Sequence, residues 1–391
     1  MSCPACQGTD LTEILRQDSI PAHSCLLMAD RNEAVNFPTG NMALTACRSC
    51  GFVFNAAFDL GLNQYSESYE ETQAFSAHFV EFEESLAQRW IDRYDIRNKT
   101  VLEIGCGKGT FLATMCRLGN NKGIGIDPAV APDRLAPEEN AQIEWLAELY
   151  SDHHREIEAD VIVCRHTLEH IAPVKEFLDT IRSTLGDRRD VPVLFELPDF
   201  ERVAQELAFW DIYYEHCSYF TIGSLARLFR ASGFEINGLD TVYDGQYLLI
   251  EATPADGPTE AVFEDEDDLA NTLALVDGFN ERFTTDLDRR RGVLASLIEG
   301  DKSVAIWGAG SKGVAFVTTL DAADKIASAV DINPFKAGKY LAGSGVAVVG
   351  PADLQSAKPD VVIPMNPVYT EEIATKLAEL GLSPELLDVG L

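Results

Sequence analysis

Val101-Leu102-Glu103-Ile104-Gly105-Cys106-Gly107-Lys108-Gly109-Thr110-Phe111-Leu112 is the stretch whose reading decides the fold. A short apolar strand ends in an acid, glycines alternate as G-x-G-x-G, and a helix begins near position 111. Glycine lets backbone N–H groups and a bulky ligand come close together. The helix N-terminus favours an anionic group, a carboxylate as readily as a phosphate. The spacing differs from the dinucleotide fingerprint G-x-G-x-x-G. Working outward, Gly123-Ile124-Gly125-Ile126-Asp127-Pro128 is a second strand ending in an acid. Asp127 lies 22 residues beyond Gly105, a placement suited to accepting hydrogen bonds from two ribose hydroxyls. Further strands are expected at 143–146, 160–164 and 191–196 with helical stretches between, which predicts a parallel sheet covered on both faces. Two alternating segments, 235–243 and 246–253, predict an antiparallel pair at its edge.

Toward the C-terminus, residues 254–268 are polar, carry proline and glycine, and end in Glu264-Asp265-Glu266-Asp267-Asp268, the signature of a linker. One long helix is expected over 269–299. Strand, glycine turn and helix then begin again, with strands expected at 304–307, 328–330 and 361–364. Toward the N-terminus, Phe75, Phe79, Phe82 and Leu86 recur at helical steps, so 61–98 is expected to be helical. The fold class predicted is α/β, with a zinc-binding module over 1–60, a helical connection over 61–98, a core over 99–253, a linker and long helix over 254–299, and a second Rossmann-like domain over 300–391. A length of 391 residues accommodates two or three domains at roughly 150 residues each.

The first 60 residues hold five of the nine cysteines and little periodicity, and are expected to be loop-rich. Cys3-Pro4-Ala5-Cys6 and Cys47-Arg48-Ser49-Cys50 are two C-x-x-C knuckles separated by 40 residues, able to offer four thiolates to one tetrahedral zinc. Cys25 and His23, in the intervening loop, are alternative ligands; free thiols or a redox-active pair are the competing readings. The net charge of −32 repels phosphate backbones and anionic lipid, so neither nucleic acid nor membrane is expected as a partner. No apolar run approaches the roughly 18–20 residues of a membrane span, and Met1-Ser2-Cys3-Pro4 does not start a signal peptide. A cytoplasmic enzyme with reduced thiols is the expectation.

The glycine loop with its second acid resembles the class I S-adenosylmethionine-dependent methyltransferases over about 99–253. That resemblance implies that the loop holds the methionine and ribose of the cofactor, that Asp127 takes the ribose hydroxyls, and that Ala147-Glu148-Leu149 lies by the adenine. The candidate cofactor residues are Glu103, Gly105, Cys106, Gly107, Gly109, Asp127, Pro128, Glu148, Arg165 and His166. For Glu169 and His170, helix-start and packing roles are the expectation.

A narrower resemblance uses the whole chain. Twin knuckles, the methyltransferase core, the run Tyr213-Tyr214-Glu215-His216-Cys217-Ser218-Tyr219-Phe220 and a terminal domain opening Ile306-Trp307-Gly308-Ala309-Gly310-Ser311-Lys312-Gly313 occur in the order found in sugar C-methyltransferases that act on nucleotide-linked ketosugars. It implies that His216 is the base, that Tyr213 and Glu215 shape the sugar site, and that a tyrosine before the core contributes. Tyr65 and Tyr69 both fit, and Tyr69 is preferred. A packed histidine in an aromatic cluster is the competing reading of His216. The chemistry agrees with the residues. Methylating carbon needs a carbanion equivalent, and a proton alpha to a ketone yields to an enzyme base when the enolate oxygen is stabilised. Histidine near neutrality is such a base, and a tyrosine hydroxyl is such a donor. Oxygen or nitrogen methylation would need less, since a hydroxyl or amine already has a lone pair, and the sequence excludes neither.

The C-terminal run 308–313 is formally G-x-G-x-x-G, with Asp331 lying 23 residues beyond Gly308. Alone it suggests a dinucleotide, but methyl transfer has no redox step, so it is read as a companion that holds substrate phosphate with Lys312 nearby. The rival readings are a methyltransferase for another small molecule, an NAD-dependent oxidoreductase, and a non-catalytic nucleotide-binding scaffold.

Overall fold

The structure, a computed structural model, describes residues 1–62 and 69–391. Three sheets build the chain. The largest has seven strands and follows the alternating pattern of the core. β4 (Thr100–Ile104), β5 (Lys122–Ile126), β6 (Ile143–Leu146), β7 (Val161–Arg165) and β8 (Val193–Pro198) run parallel. β10 (Phe234–Val242) and β11 (Tyr247–Pro254) close one edge, with β11 antiparallel to both β8 and β10. The order is β10-β11-β8-β7-β4-β5-β6. β7 reads Val-Ile-Val-Cys-Arg and is buried throughout, as expected of a strand with both faces covered by helices. The covering helices are amphipathic. In Val174–Leu185, Phe177, Leu178, Ile181 and Leu185 share the buried face. The strand order reverses between β4 and β7, and such a switch point opens a crevice at the carboxyl ends of the strands.

The N-terminal residues are not loop-rich. β1 (Leu11–Pro21), β2 (Thr39–Cys47) and β3 (Val53–Asn55) form an antiparallel sheet, and its fourth strand comes from far along the chain: β9 (Ser218–Tyr219) pairs with β3. The period-two signal was obscured because β2 buries six successive residues from Met42 to Cys47 rather than alternate ones. This pairing fastens the run Tyr213–Phe220 to the N-terminal sheet.

The C-terminal sheet has five parallel strands, β12 (Val304–Trp307), β13 (Ser328–Val330), β14 (Val348–Val349), β15 (Val361–Pro364) and β16 (Glu385–Leu386), in the order β14-β13-β12-β15-β16. It too has a switch point beside its first strand. Backbone bonds between Met28 and Tyr340, at 2.9 and 3.2 Å, tie it to the N-terminal module.

Two helix expectations need correction. Among the described residues of 61–98 the α-helix is Ala77–Tyr94, because Ser76 caps it by accepting from the Phe79 N–H; Phe75 lies before the cap and is exposed. The long helix after the linker is two helices, Leu269–Val276 and Phe279–Glu299, broken at Gly278, whose φ of +69° the first helix cannot accommodate. Among the described residues, no helix is long and apolar enough to cross a membrane.

Candidate active site

The carboxyl ends of β4, β5, β7 and β8 and the glycine loop after β12 all open onto one cavity of about 1950 Å³. Its walls include Gly105, Gly107, Asp127, Glu148, Tyr69, Tyr213, His216, Gly308 and Lys312. The two glycine loops therefore face a common space.

Around the first loop, Asp127 organises the turn. Its Oδ2 accepts the Gly107 N–H at 3.0 Å and its Oδ1 the Ala129 N–H at 2.6 Å. Each oxygen keeps a lone pair for a further donor. The glycines prove necessary for packing within the protein as well as for a ligand. A Cβ on Gly105 (φ +72°) would stand 1.9 Å from Thr167 Oγ1, and one on Gly109 (φ +80°) 2.2 Å from the Trp145 ring. A Cβ on Gly107 would stand 2.5 Å from Glu71 Oε1. Cys106 turns its sulfur against Gly125 of β5, so the loop presents the Cys106 backbone to the cavity. Pro128 lines the wall beside Asp127, and the Glu148 side chain stands exposed at the rim.

The acid at the end of β4 is buried. Burial pushes Glu103 up to about 8, with Arg165 pulling the other way, and Oε2 has no hydrogen-bond partner. An unmet carboxyl oxygen at the head of a glycine loop fits the ammonium of a methionine group. With the two remaining lone pairs on Asp127, the residues present fit S-adenosylmethionine.

Arg165 and His166 face the cavity differently from the expectation of direct cofactor binding. The Arg165 guanidinium is held by Glu83 at 2.7 Å and Glu196 at 2.5 Å and lies 4.0 Å over the Phe111 ring. These two carboxylates let it brace the ends of β7 and β8, while its Nη2 is buried without a hydrogen-bond partner. His166 has Glu196 at 3.3 Å and Glu169 at 3.7 Å and packs edge-on against Tyr247 at 4.5 Å. Burial pulls His166 down, but the Glu196 charge and its bonds with both carboxylates outweigh this and hold the imidazolium up to about 9.

The aromatic run forms the opposite wall. The Tyr213 hydroxyl lies 2.8 Å from His216 Nε2, with the rings 4.1 Å apart. Burial pushes His216 well below the usual imidazole value, and the neighbouring charges of His170, His166 and Lys312 push the same way. Burial also pushes the Tyr213 phenol well above its usual value, helped by Asp211 and Glu215. A neutral imidazole therefore stands against a protonated phenol. Glu215 behaves otherwise than expected. It is fully buried and does not line the cavity. Its Oε1 accepts from His23 Nδ1 at 2.9 Å, its Oε2 from the Ser24 N–H at 2.7 Å, and its carbonyl from His170 Nδ1 at 3.0 Å. Burial raises Glu215, but these bonds and the His23 and His170 charges hold it below the usual carboxylate range. Glu215 anchors the loop carrying His23 and orients His170. Tyr69 is buried, reaches the cavity and packs edge-on to His23 with ring centres 6.0 Å apart. Tyr65 lies outside the described residues.

The four knuckle cysteines converge. Cys3 and Cys50 sulfurs are 3.7 Å apart, Cys6 and Cys47 3.6 Å, and all four lie within 4.8 Å of one another. Four thiolates around zinc at about 2.3 Å place sulfurs about 3.8 Å apart, so the set fits a tetrahedral ion. Cys25 and His23 are not part of this cluster: Cys25 lies 3.4 Å from Ser311 Oγ, and His23 serves Glu215.

At the second loop, Asp331 is already engaged. It accepts from the Ala309 N–H at 2.9 Å, the Asn333 N–H at 2.9 Å and Lys336 Nζ at 3.1 Å. Lys312 pairs with Asp211, which also takes Arg202. The cation standing over the loop is Lys336, whose Nζ is 3.7 Å from a Gly310 Cβ.

Sequence reasoning missed Glu71, Glu83 and Glu196. The stretch holding Glu71 has no periodicity, and the only signal there was its closeness to the preferred Tyr69.

Comparison with known proteins agrees with this geometry. Residues 78–237 match the model of a methyltransferase domain, and 251–382 that of a C-methyltransferase C-terminal domain. The chain is 24% identical to the C-methyltransferase NovU of Streptomyces niveus over 388 residues, 95% of this chain and 90% of that protein. It is 36% identical over 110 residues to ribosomal protein L11 methyltransferase of Escherichia coli (strain 55989 / EAEC), covering 26% of this chain and 37% of that one. Among solved structures it is similar to N,N-8-amino-8-demethyl-D-riboflavin dimethyltransferase (RosA) from Streptomyces davawensis, at 21% identity and a TM-score of 0.37, covering 45% of this chain and 56% of that chain. The core has the class I methyltransferase fold, with a second, C-terminal domain.

Proposed function

We infer that this S-adenosylmethionine-dependent C-methyltransferase acts on a carbon alpha to the ketone of a nucleotide-linked deoxysugar. The observation that carries the reading is the neutral His216 held 2.8 Å from the protonated Tyr213 hydroxyl, on the wall of the cavity that the first glycine loop also lines. In the free protein Tyr213 donates to His216 Nε2. When a ketone enters, the hydroxyl turns to the ketone oxygen and frees the Nε2 lone pair. Nε2 then takes the proton from the alpha carbon while Tyr213 stabilises the oxygen on which negative charge gathers. Bound adenosylmethionine supplies the electrophilic methyl carbon that the alpha carbon attacks. Hydroxyl or amine methylation would ask less of this pair, since those atoms already carry a lone pair and need no stabilised enolate.

The cavity extends from Tyr213 to the Gly308 loop, and that end is assigned to the diphosphate. The cradle is the backbone of 308–311 with Lys336 and the expected Lys312, both of which line the cavity and each of which also pairs with a carboxylate, Asp331 and Asp211. An NAD-dependent reading is disfavoured because methyl transfer has no redox step, and because Asp331, the acid a ribose diol would need, already accepts from two backbone N–H groups and Lys336. Cys3, Cys6, Cys47 and Cys50 are assigned to a structural zinc that stabilises the module onto which β9 is paired.

Labelled cofactor incubated with a panel of nucleotide ketosugars tests the substrate class. His216→Asn removes the basic nitrogen at similar size. Turnover should fall by about 10²–10⁴-fold with adenosylhomocysteine affinity near wild type. Methylation at the wild-type rate in this variant would remove His216 as the base.

A further inference from the structure

We propose that Glu71 is a second carboxylate of the cofactor site, accepting a hydrogen bond from the ribose diol across the glycine loop from Asp127. The proposal rests on the assignment of Asp127 to the ribose.

Three observations converge on it. First, the two carboxylates flank a single glycine. Asp127 Oδ2 takes the Gly107 N–H at 3.0 Å, and Glu71 Oε1 lies 2.5 Å from where a Gly107 Cβ would stand. A ligand passing over Gly107 meets both. Second, Glu71 lines the cavity while its Oε2 is buried with no hydrogen-bond partner. Buried acceptors are nearly always met, so an unmet one beside a ligand site calls for a donor from the ligand. Asp127 has already committed one lone pair on each oxygen to backbone N–H groups. A vicinal diol has two donors, and sending one to each carboxylate leaves neither acid unmet. The ammonium of the methionine group is matched instead by Glu103, whose own unmet oxygen stands at the end of β4.

Third, the chain around Glu71 is fastened so that it faces inward. Residues 69–73 form neither helix nor strand, and Glu71 lines the cavity whereas Glu70 does not. Glu70 is buried and turned away from the cavity: its Oε1 accepts from Arg134 Nη2 at 2.8 Å and Asn333 Nδ2 at 2.8 Å, and its Oε2 from Arg134 Nη1 at 3.1 Å. The Glu70 N–H donates to the Cys25 carbonyl at 3.0 Å. One residue is thus held by the N-terminal module, the core and the C-terminal domain together, which turns Glu71 down onto Gly107. Burial pushes Glu71 up to about 7, with Lys108 opposing and Asp127 and Glu70 adding to the rise, as expected of a carboxyl awaiting a donor.

The test is calorimetry on the full chain with two probes, adenosylhomocysteine and its 2′,3′-dideoxyribose analogue. Glu71→Gln should weaken adenosylhomocysteine about tenfold, the loss expected of one hydrogen bond to a charged group, and weaken the dideoxy analogue less than about twofold. Glu70→Gln, which loosens the fastening without touching the ligand, should weaken both probes by a similar factor. If Glu71→Gln proves unstable, Glu71→Asp withdraws the carboxylate by one methylene and is read the same way. Equal affinity of Glu71→Gln and wild type for adenosylhomocysteine overturns the proposal. So does an equal loss for both probes, which would make Glu71 a brace or an ammonium ligand. Wild-type protein that binds neither probe would defeat the cofactor assignment itself.

Discussion

Glu215 separates two roles for the aromatic run, and Glu215→Gln measures them. In the structure the carboxylate is fully buried and accepts from His23 Nδ1 at 2.9 Å and the Ser24 N–H at 2.7 Å. Hydrogen bonds to a charged group contribute about 1.5–3 kcal/mol each. Glutamine retains an acceptor for Ser24 but presents an NH₂ group to His23, so about one such bond is lost, and a destabilisation of about 2 kcal/mol is expected at pH 7. Glu215→Ala leaves both donors buried and unmet, and the loss should reach about 3–5 kcal/mol. The pH dependence has a definite sign. The folded carboxyl lies below the usual range, so its contribution is full above the unfolded value of about 4.3 and disappears as pH falls through the folded value. Urea titrations at pH 7 should separate wild type from Glu215→Gln, and the difference should shrink below about pH 4. Adenosylhomocysteine affinity should stay near wild type, since Glu215 does not reach the cavity. A Glu215→Gln protein of wild-type stability whose turnover nevertheless collapses would refute the reasoning and return Glu215 to the reacting atoms.

Four further outcomes are expected. Elemental analysis should find one zinc per chain, and Cys47→Ser should lose it together with stability of the N-terminal module; unchanged metal content would exclude the cluster as its site. Asp127→Asn should weaken adenosylhomocysteine at least about tenfold in calorimetry and also loosen the loop, because an amide NH₂ then opposes the Gly107 or Ala129 N–H; equal affinity would identify the wrong acid. Gly105→Val should abolish cofactor binding, through collision with Thr167 and a φ of +72° that valine resists. Gly310→Val meets only Lys336 Nζ, so it should leave cofactor binding intact and raise KM for the nucleotide substrate; loss of adenosylhomocysteine binding in Gly310→Val would contradict the division of the cavity.

Local regularity carried much of this protein in its primary structure. The strands β12, β13 and β15 lie at the expected positions, because a buried parallel strand is a continuous apolar run bounded by turn residues. The G-x-G-x-G loop and Asp127 were legible because close backbone approach demands glycine and an acid at fixed steps in the chain. The paired knuckles, whose four cysteines converge in the fold, were legible because one short spacing occurs twice. Helix limits were less so: the cap at Ser76 and the break at Gly278 each depend on one residue that a periodic pattern overrides.

What the sequence by itself determined is therefore what depends on neighbours in the chain: the α/β class, the glycine loop, the cysteine set and the aromatic run with His216. Only the tertiary structure decided which of those side chains meet. Glu215 is 192 residues from His23, Glu70 is 263 from Asn333, and Lys312 is 101 from Asp211, and the first and last of these pairings engage a charge for which the motif suggested another role. The same holds for β9, which joins the N-terminal sheet from the far side of the core, and for Glu71, which stands over Gly107 only because Glu70 is fastened elsewhere. No period or spacing encodes such contacts. They follow from burial, since a charge or backbone group taken out of water must find its partner wherever the packed chain happens to present one.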